Sequence, residues 1–237
     1  MFPERAHLWP VGGEHAAALG YPADLLASLA SAASSFSGLA YPFADDAPRA
    51  GEVVVDVGSG SGLDALLAAR RVGSAGKVIG VEMTAELSRK AEVAGRQARA
   101  TNLRFETGIA EALPIADAFA DVVVANGVIN FQIADKEQAL AEVWRVLKPG
   151  GRLLLADVVV RETAPRDERA APDNWAELAG PLPEAELLDL LRGAGFADLT
   201  IPARGEARVN ERLRERARAR GAERVLIVAR KAKEAAQ

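Results

Sequence analysis

The sequence contains no cysteine and only two histidines, His7 and His15, among 237 residues. Disulfides, thiolate zinc sites and cysteine nucleophiles are therefore excluded, and no resident metal is expected. Apolar runs of the roughly 20 residues that a membrane span needs are also missing. No signal-peptide pattern follows the first residues. We therefore expect a cytoplasmic protein without membrane contact.

Basic residues do not dominate the sequence either, since 29 Lys and Arg stand against 33 Asp and Glu for a net charge of -4. Proteins dedicated to nucleic acids usually carry a dominant basic face, so no nucleic-acid partner is expected. A hydrophobic fraction of 49% is at the globular average and excludes a disordered chain. The length suits one globular unit, as a monomer or a homodimer.

From Val53 onward, short apolar runs alternate with longer helical patterns. The alternation predicts an α/β fold in which a parallel sheet is covered by helices on both faces. We predict strands at Val53–Val57, Lys77–Glu82, Asn102–Glu106, Asp121–Asn126, Arg152–Val158, Asp198–Pro202 and Arg224–Ala229. Helices are predicted at Gly62–Val72, Ala85–Thr101, Lys136–Leu147 and Pro183–Gly193. Residues 1–50 hold a helical pattern over Asp24–Ala33 and no strand, which predicts an N-terminal helical cap on a main unit of residues 51–237.

The strongest local signal is a glycine-rich turn after the first predicted strand, with glycines at 58, 60 and 62. Glycines are needed there because a ligand must approach the backbone closely and the turn uses conformations closed to other residues. Glu82 ends the next predicted strand, where a carboxylate can accept hydrogen bonds from both hydroxyls of a ribose. The pattern predicts a nucleoside site.

Asp56, two residues before the first glycine, indicates which nucleoside is bound. A carboxylate there would repel the pyrophosphate of a dinucleotide and would attract an ammonium group. The spacing is Gly-x-Gly-x-Gly rather than the Gly-x-Gly-x-x-Gly of dinucleotide folds, and no Gly-Lys-Ser/Thr follows to hold a triphosphate. A ligand with an amino-acid tail, a ribose and no phosphate fits best, and S-adenosylmethionine is such a ligand.

These residues resemble the class I S-adenosylmethionine-dependent methyltransferases over roughly residues 50–200. On that likeness, Asp56–Gly62 corresponds to the first motif, Glu82 to the ribose acid and Gly108–Pro114 to the adenine-edge loop. Asp121–Asn126 and Leu147–Gly151 resemble the fourth strand and the turn before the fifth. The resemblance implies a Rossmann-like, seven-stranded, mostly parallel sheet, with S-adenosylhomocysteine as the product. It assigns cofactor binding to Asp56, Gly58, Ser59, Gly60, Glu82, Met83, Ile109, Ala110, Glu111 and Asn126.

A narrower likeness to the arsenite methyltransferase branch appears at Val81–Thr84, Asn126–Asn130, Asp135-Lys136 and Ala156–Val158. That family is expected to hold As(III) through cysteine thiolates. The corresponding places here read Ser37–Tyr41, Gly127 and Trp175–Leu178, without a cysteine. Because a soft thiophilic ion has no comparable ligand in this chain, we expect a different, small-molecule acceptor.

The candidate catalytic residues are Asn126, Asn130, Asp157 and His15, with His7 and Glu4 as further possible bases. An acceptor that is already nucleophilic, such as a thiolate, enolate or amine, would need no base. The aromatic residues Tyr21, Tyr41, Phe43 and Trp175 either line an acceptor pocket or pack the structure.

Arginines 208, 212, 216 and 220 recur every fourth residue and predict one basic stripe on a helix. The stripe is either a solvated face or a contact for an anionic acceptor or partner.

Two other functions are compatible with the same cofactor motifs. The bound sulfonium could serve as an electrostatic element in a cyclisation or elimination without methyl transfer. Alternatively, the chain could be a non-catalytic cofactor-binding subunit. Methyl transfer is favoured because the motifs stand complete and in order.

Overall fold

The computed structural model describes residues 10–132, 135–161, 181–209 and 211–233. The strands are β1 (Val53–Val57), β2 (Lys77–Glu82), β3 (Leu103–Thr107), β4 (Ala120–Asn126), β5 (Leu147–Val159), β6 (Phe196–Glu206) and β7 (Glu223–Lys231). The helices are α1 (Gly13–Ala18), α2 (Ala23–Ser28), α3 (Ala30–Ala33), α4 (Leu63–Val72), α5 (Ala85–Gln97), α6 (Ile129–Gln132), α7 (Lys136–Val146), α8 (Glu184–Gly193) and α9 (Glu211–Ala219). None of the helices within these ranges is long and apolar enough to cross a membrane.

The seven strands form one sheet in the order β3-β2-β1-β4-β5-β7-β6. The first five strands run parallel, and β7 lies antiparallel between β5 and β6. The order reverses between β1 and β4, and ligands of such sheets bind at the carboxyl edge of this reversal. The register places Val57 beside Ala125. The glycine turn therefore follows β1 at the point where Asn126 ends β4, and the predicted Rossmann-like sheet is confirmed.

Both faces of the sheet are covered because successive residues of its central strands are apolar and point to opposite sides. In β4, Val122 and Val124 pack against α4 and the N-terminal helices. Val123 and Ala125 pack on the other face with α7 and α8. Asp56 alternates with Val55 and Val57 in β1, so its side chain faces the side of α4 and the N-terminal helices.

Element ends differ from the predicted ones where local geometry overrides the sequence pattern. The predicted helix over Asp24–Ala33 is two helices, because Leu29 leaves the helical conformation between them. Helix α5 ends at Gln97 instead of Thr101, and Arg99 follows with a left-handed φ of 52°. Strand β6 is longer than predicted because it lies at the sheet edge, where exposed polar residues alternate along it.

Arg152 connects the start of β5 to the segment that leads from the N-terminal helices into β1. Its guanidinium is buried, with Nη1 and Nη2 donating to Glu52 at 2.8 and 2.9 Å. Nη2 also donates to the carbonyl of Ala47, and Nε lies 3.2 Å from Asp46. Although burial opposes it, hydrogen bonding to Arg152 and Arg49 lowers the pKa of Glu52. The contact holds the incoming segment against the sheet.

Replacing Arg152 with alanine is expected to lower the free energy of unfolding by about 3 kcal/mol, because Glu52 and Asp46 would keep their charges without this partner. Urea denaturation measures the change. The matched control is Arg96→Ala, which removes an exposed pair with Glu92 and should cost about 0.5 kcal/mol or less. Equal losses in the two variants would contradict a role for Arg152 in holding this segment.

Candidate functional site

The glycine turn, Gly58–Gly62, connects β1 to α4 with three left-handed residues. Gly58, Gly60 and Gly62 have φ angles of 68°, 53° and 86°. A side chain at Gly58 would collide with Val128, whereas a Cβ at Gly60 would meet no atom within 4 Å. The backbone at Gly60 is therefore open to a ligand, as the sequence pattern predicts.

Asp56 and Ser59 carry the unsatisfied polar atoms of this turn. Asp56 is 2% exposed, and it accepts a hydrogen bond from the backbone of Ala65. Its Oδ2 and the Oγ of Ser59 are buried without a hydrogen-bond partner among the described residues. Burial, and then the neighbouring charge of Asp64, raise the pKa of Asp56 well above its ordinary value. Such atoms are held ready for a partner that the protein itself does not supply.

Asp56 and Ser59 belong to the walls of a small cavity of about 70 Å³, which we call the turn cavity; its walls also include Phe36, Gly38, Gly60 and Asn126. The cavity is large enough for a small polar group and too small for a whole nucleoside. A ligand of nucleoside size would therefore extend from the turn cavity onto the open surface.

Asp64, in the first turn of α4, is a second buried carboxylate at the turn cavity. Tyr21 donates to its Oδ1 at 2.7 Å, and Asn126 Nδ2 donates to its Oδ2 at 2.8 Å. Burial raises the pKa of Asp64 to about 6 despite these two donors. The sequence analysis missed Asp64, because an acid in the first turn of a helix ordinarily serves the helix terminus.

Asn126 also binds the N-terminal segment that closes the cavity. Its Oδ1 accepts from the backbone of Leu39 at 2.7 Å, and its Nδ2 donates to the carbonyl of Ala40 at 3.0 Å. The predicted site residue Asn126 does line the turn cavity. Its side chain joins β4, α4 and this segment.

Glu82 lies beside the glycine turn, as the sequence predicts for a ribose acid. Its Oε2 accepts from the backbone of Gly60 at 2.9 Å and its Oε1 from the backbone of Thr84 at 2.8 Å. The carboxylate is thereby oriented by two N–H groups, and each oxygen retains a further lone pair.

The other predicted cofactor residues follow the neighbouring strands. Met83 is 70% exposed and Ile109 is 45% exposed, although both are large apolar side chains. Ala110 is buried, and Glu111 is half-buried with its carbonyl accepting from Gln138. Exposed apolar surface beside an oriented carboxylate suits the flat face of a nucleoside base.

Asn130 and Asp157 form a buried pair on the far side of β4 from the turn cavity. Asp157 accepts from the backbone of Asn130 at 2.8 Å and of Val158 at 2.9 Å. Asn130 in turn donates to the carbonyl of Val158 and accepts from the backbone of Leu182. Burial raises the pKa of Asp157 to about 6. Neither side chain is exposed, so their predicted catalytic role finds no substrate contact in this conformation and stays a prediction.

His15 is buried as well, with Nε2 at 2.8 Å from the carbonyl of Gly38. Burial lowers the pKa of His15, and the charges of Arg208 and Arg224 lower it further. The ring is therefore neutral near pH 7, and its catalytic role stays a prediction too. His7, Glu4 and Trp175 lie outside the described residues, as do the side chains of Arg212 and Arg216.

The aromatic residues of the N-terminal region pack mainly on one another. Tyr41 stacks between Tyr21 and Phe43, with ring centroids 4.8 and 5.9 Å apart, and Phe36 contacts Tyr21. Phe43 is buried away from the turn cavity, whereas Phe36 lines it. Sequence reasoning missed Phe36, because nothing in its local pattern distinguishes it from Phe43.

A family model described as a methyltransferase domain matches residues 48–194. The arsenite methyltransferase of Halobacterium salinarum is 39% identical over 190 residues, covering 80% of this chain and 48% of that protein. A ubiquinone/menaquinone biosynthesis C-methyltransferase of Marinomonas is 38% identical over 111 residues, covering 46% of this chain and 43% of that protein. The chain thus spans about half the length, or less, of these curated relatives.

Among solved structures, an arsenic(III) S-adenosylmethionine methyltransferase from Chlamydomonas reinhardtii superposes with a TM-score of 0.73 at 31% identity. The match covers 94% of this chain and 74% of that one. Family model, sequence relatives and fold therefore agree with one another. This chain belongs to the methyltransferase domain family and resembles the arsenite branch of the class I S-adenosylmethionine methyltransferases.

Proposed function

We propose that this chain binds S-adenosylmethionine at the glycine turn and transfers its methyl group to a small organic acceptor. The observation that carries the proposal is the pair of buried atoms Asp56 Oδ2 and Ser59 Oγ, which have no partner among the described residues and belong to residues that line the turn cavity. Unmet hydrogen-bonding groups of this kind, next to an open glycine backbone, support the binding of an external ligand.

The donor set fits each part of this cofactor. The carboxylates of Asp56 and Asp64 attract the ammonium group of the amino-acid tail. Glu82 accepts from the ribose hydroxyls, and Met83 and Ile109 offer apolar surface to the adenine. Because a sulfonium nucleoside carries no phosphate, two acids at the turn favour it and disfavour a dinucleotide.

The cofactor supplies an activated methyl group, so the chain must mainly bind, orient and exclude water. An acceptor that is nucleophilic in itself suits this protein, because His15, Asn130 and Asp157 are buried. Asn126 alone among the predicted catalytic residues reaches the turn cavity. We assign it a positioning role through its hold on Leu39 and Asp64.

The acceptor side of the site argues against arsenite held by protein thiolates. Gly127 stands where the resembled family has a cysteine, and a Cβ at Gly127 would lie 3.4 Å from the side chain of Leu39. The side chain of Leu39 therefore lies next to the position where a thiolate would bind arsenic. No cysteine exists elsewhere in the sequence. The C-methyltransferase among the relatives is compatible with an organic acceptor on the same scaffold.

The double variant Asp56→Asn/Glu82→Gln is expected to bind S-adenosylhomocysteine at least tenfold more weakly than wild type, because it removes the two carboxyl groups that the proposal assigns to the ammonium group and the ribose. Tenfold corresponds to about 1.4 kcal/mol. Isothermal titration calorimetry measures the affinity, with Glu106→Gln, an exposed acid of β3, as the matched control. Wild-type affinity in the double variant would refute the site.

Affinity for S-adenosylhomocysteine should rise as the pH increases through about 6, where Asp64 ionises, and ionisation of Asp56, whose pKa is also raised, should add to this rise. The pKa of Asp64 is raised to about 6, and only its ionised form attracts an ammonium group. Tyr21→Phe removes a hydrogen bond that lowers this pKa, so the rise should move to higher pH. Calorimetry between about pH 5 and pH 8 tests both expectations, with Tyr41→Phe as control. A flat profile would count against Asp64.

We expect a screen of possible acceptors to find an organic one. The screen measures S-adenosylhomocysteine release with thiols, phenols, amines, carboxylic acids and arsenite. We expect no turnover of arsenite without an added thiol, because the chain has none. One methylated product per S-adenosylhomocysteine separates methyl transfer from a cyclisation or elimination that leaves the cofactor intact. Methylation of arsenite in the absence of any external thiol would contradict the proposed acceptor class.

A further inference from the structure

Arg224 is the second residue of β7 and lies at the same edge of the sheet as the glycine turn. It pairs with Val158 near the carboxyl end of β5, because β7 runs antiparallel to the five parallel strands. Its guanidinium lies over Gly205 of β6, where a Cβ would come within 2.7 Å of Nη2. Nη1 is 3.5 Å from the carbonyl of Leu39, and Nε is buried without a hydrogen-bond partner among the described residues. The Nε–H of this guanidinium is therefore an unmet donor that is shielded from solvent.

Arg208 lies next to the same segment. Its neighbours Ala207 and Val209 are buried in an apolar cluster that also contains Leu39 and Val158. Arg208 itself points out of that cluster and is exposed. No carboxylate within the described part of the chain forms an ion pair with Arg208 or Arg224. Their mutual proximity lowers the pKa of Arg224, after burial, which is the larger cause.

The lack of acidic partners contrasts with several other arginines of the described residues. Arg145 is bound by Glu142, Arg152 by Glu52 and Arg204 by Glu184. The chain has more acids than bases overall. Two neighbouring arginines that no carboxylate of the described residues pairs with, one of them half-buried, therefore repel each other, and a bound anion would relieve that repulsion.

Both arginines adjoin the acceptor side of the proposed site. The carbonyls of Gly38 and Leu39 contact His15 and Arg224, while the backbone N–H of Leu39 is held by Asn126. Leu39 also fills the space in front of Gly127. A group bound by the arginines would thus lie beside the residue that replaces the resembled family's thiolate position.

We propose that Arg208 and Arg224, the arginine pair, bind an oxyanion of the methyl acceptor, a carboxylate or a phosphate monoester on a small organic molecule. The inference rests on the proposed function and specifies its substrate class. A planar guanidinium binds either oxyanion through paired hydrogen bonds. The acceptor's nucleophile then extends past Leu39 toward the glycine turn.

The test uses the full chain saturated with S-adenosylhomocysteine and two sets of binding probes. One set is phenylacetate, benzyl phosphate and phenylacetamide, and the other is hexanoate, hexyl phosphate and hexanamide. Calorimetry measures each affinity in wild type, in Arg208→Gln/Arg224→Gln and in Arg214→Gln. Arg214 is an exposed arginine of α9 and serves as the matched control for charge.

We expect one oxyanion form to bind wild type at least tenfold more tightly than its amide, and the double variant to lose this preference while Arg214→Gln keeps it. The form that binds more tightly, carboxylate or phosphate, identifies the oxyanion of the acceptor. Equal affinity for oxyanions and amides in both sets, or a preference that survives the double variant, overturns the proposal. S-adenosylhomocysteine affinity serves as the folding control and should not change. If wild type does not bind S-adenosylhomocysteine, the cofactor assignment is refuted, and this inference with it.

Discussion

The cofactor side of this protein depends on the hydrogen bonds of Asn126 at the carboxyl end of β4. One amide group binds Asp64 of α4 and the backbone of Leu39, so it joins the sheet, the helix after the glycine turn and the N-terminal segment. Leaving a buried member of such a network without its partner costs about 1–3 kcal/mol. The shape of the turn cavity follows from this network, because its walls come from the three parts that Asn126 connects.

The network keeps two carboxylates close together in a poorly solvated place. Burial raises the pKa values of both Asp56 and Asp64, and the charge of Asp64 raises the pKa of Asp56 further, which opposes the ionised forms. Such an arrangement does not by itself stabilise the fold. It is typical of a functional site, and in the proposed function the ammonium group of an amino-acid tail would complete its charge.

In the proposed function, the acceptor side differs chemically from the cofactor side. Leu39 is apolar, Gly127 has no side chain, and the arginine pair brings positive charge to the same edge. The proposed cofactor side lies on β1, β2 and α4, whereas the proposed acceptor side would be formed by the N-terminal segment and the β6–β7 region. A shared scaffold can therefore serve acceptors of unlike chemistry.

The amino-acid sequence by itself determined the parallel sheet, the glycine turn, and the places of Asp56 and Glu82. Each depends on neighbours within a few residues, such as valine runs, turn glycines and strand ends, so local patterns suffice. Only the tertiary structure decided the partners of Asp64 and Asn126, the burial of His15, Asn130 and Asp157, and the approach of Arg224 to Leu39. Those contacts join residues far apart in the chain, and their distances depend on the strand order and on how the N-terminal helices pack, which no local pattern encodes.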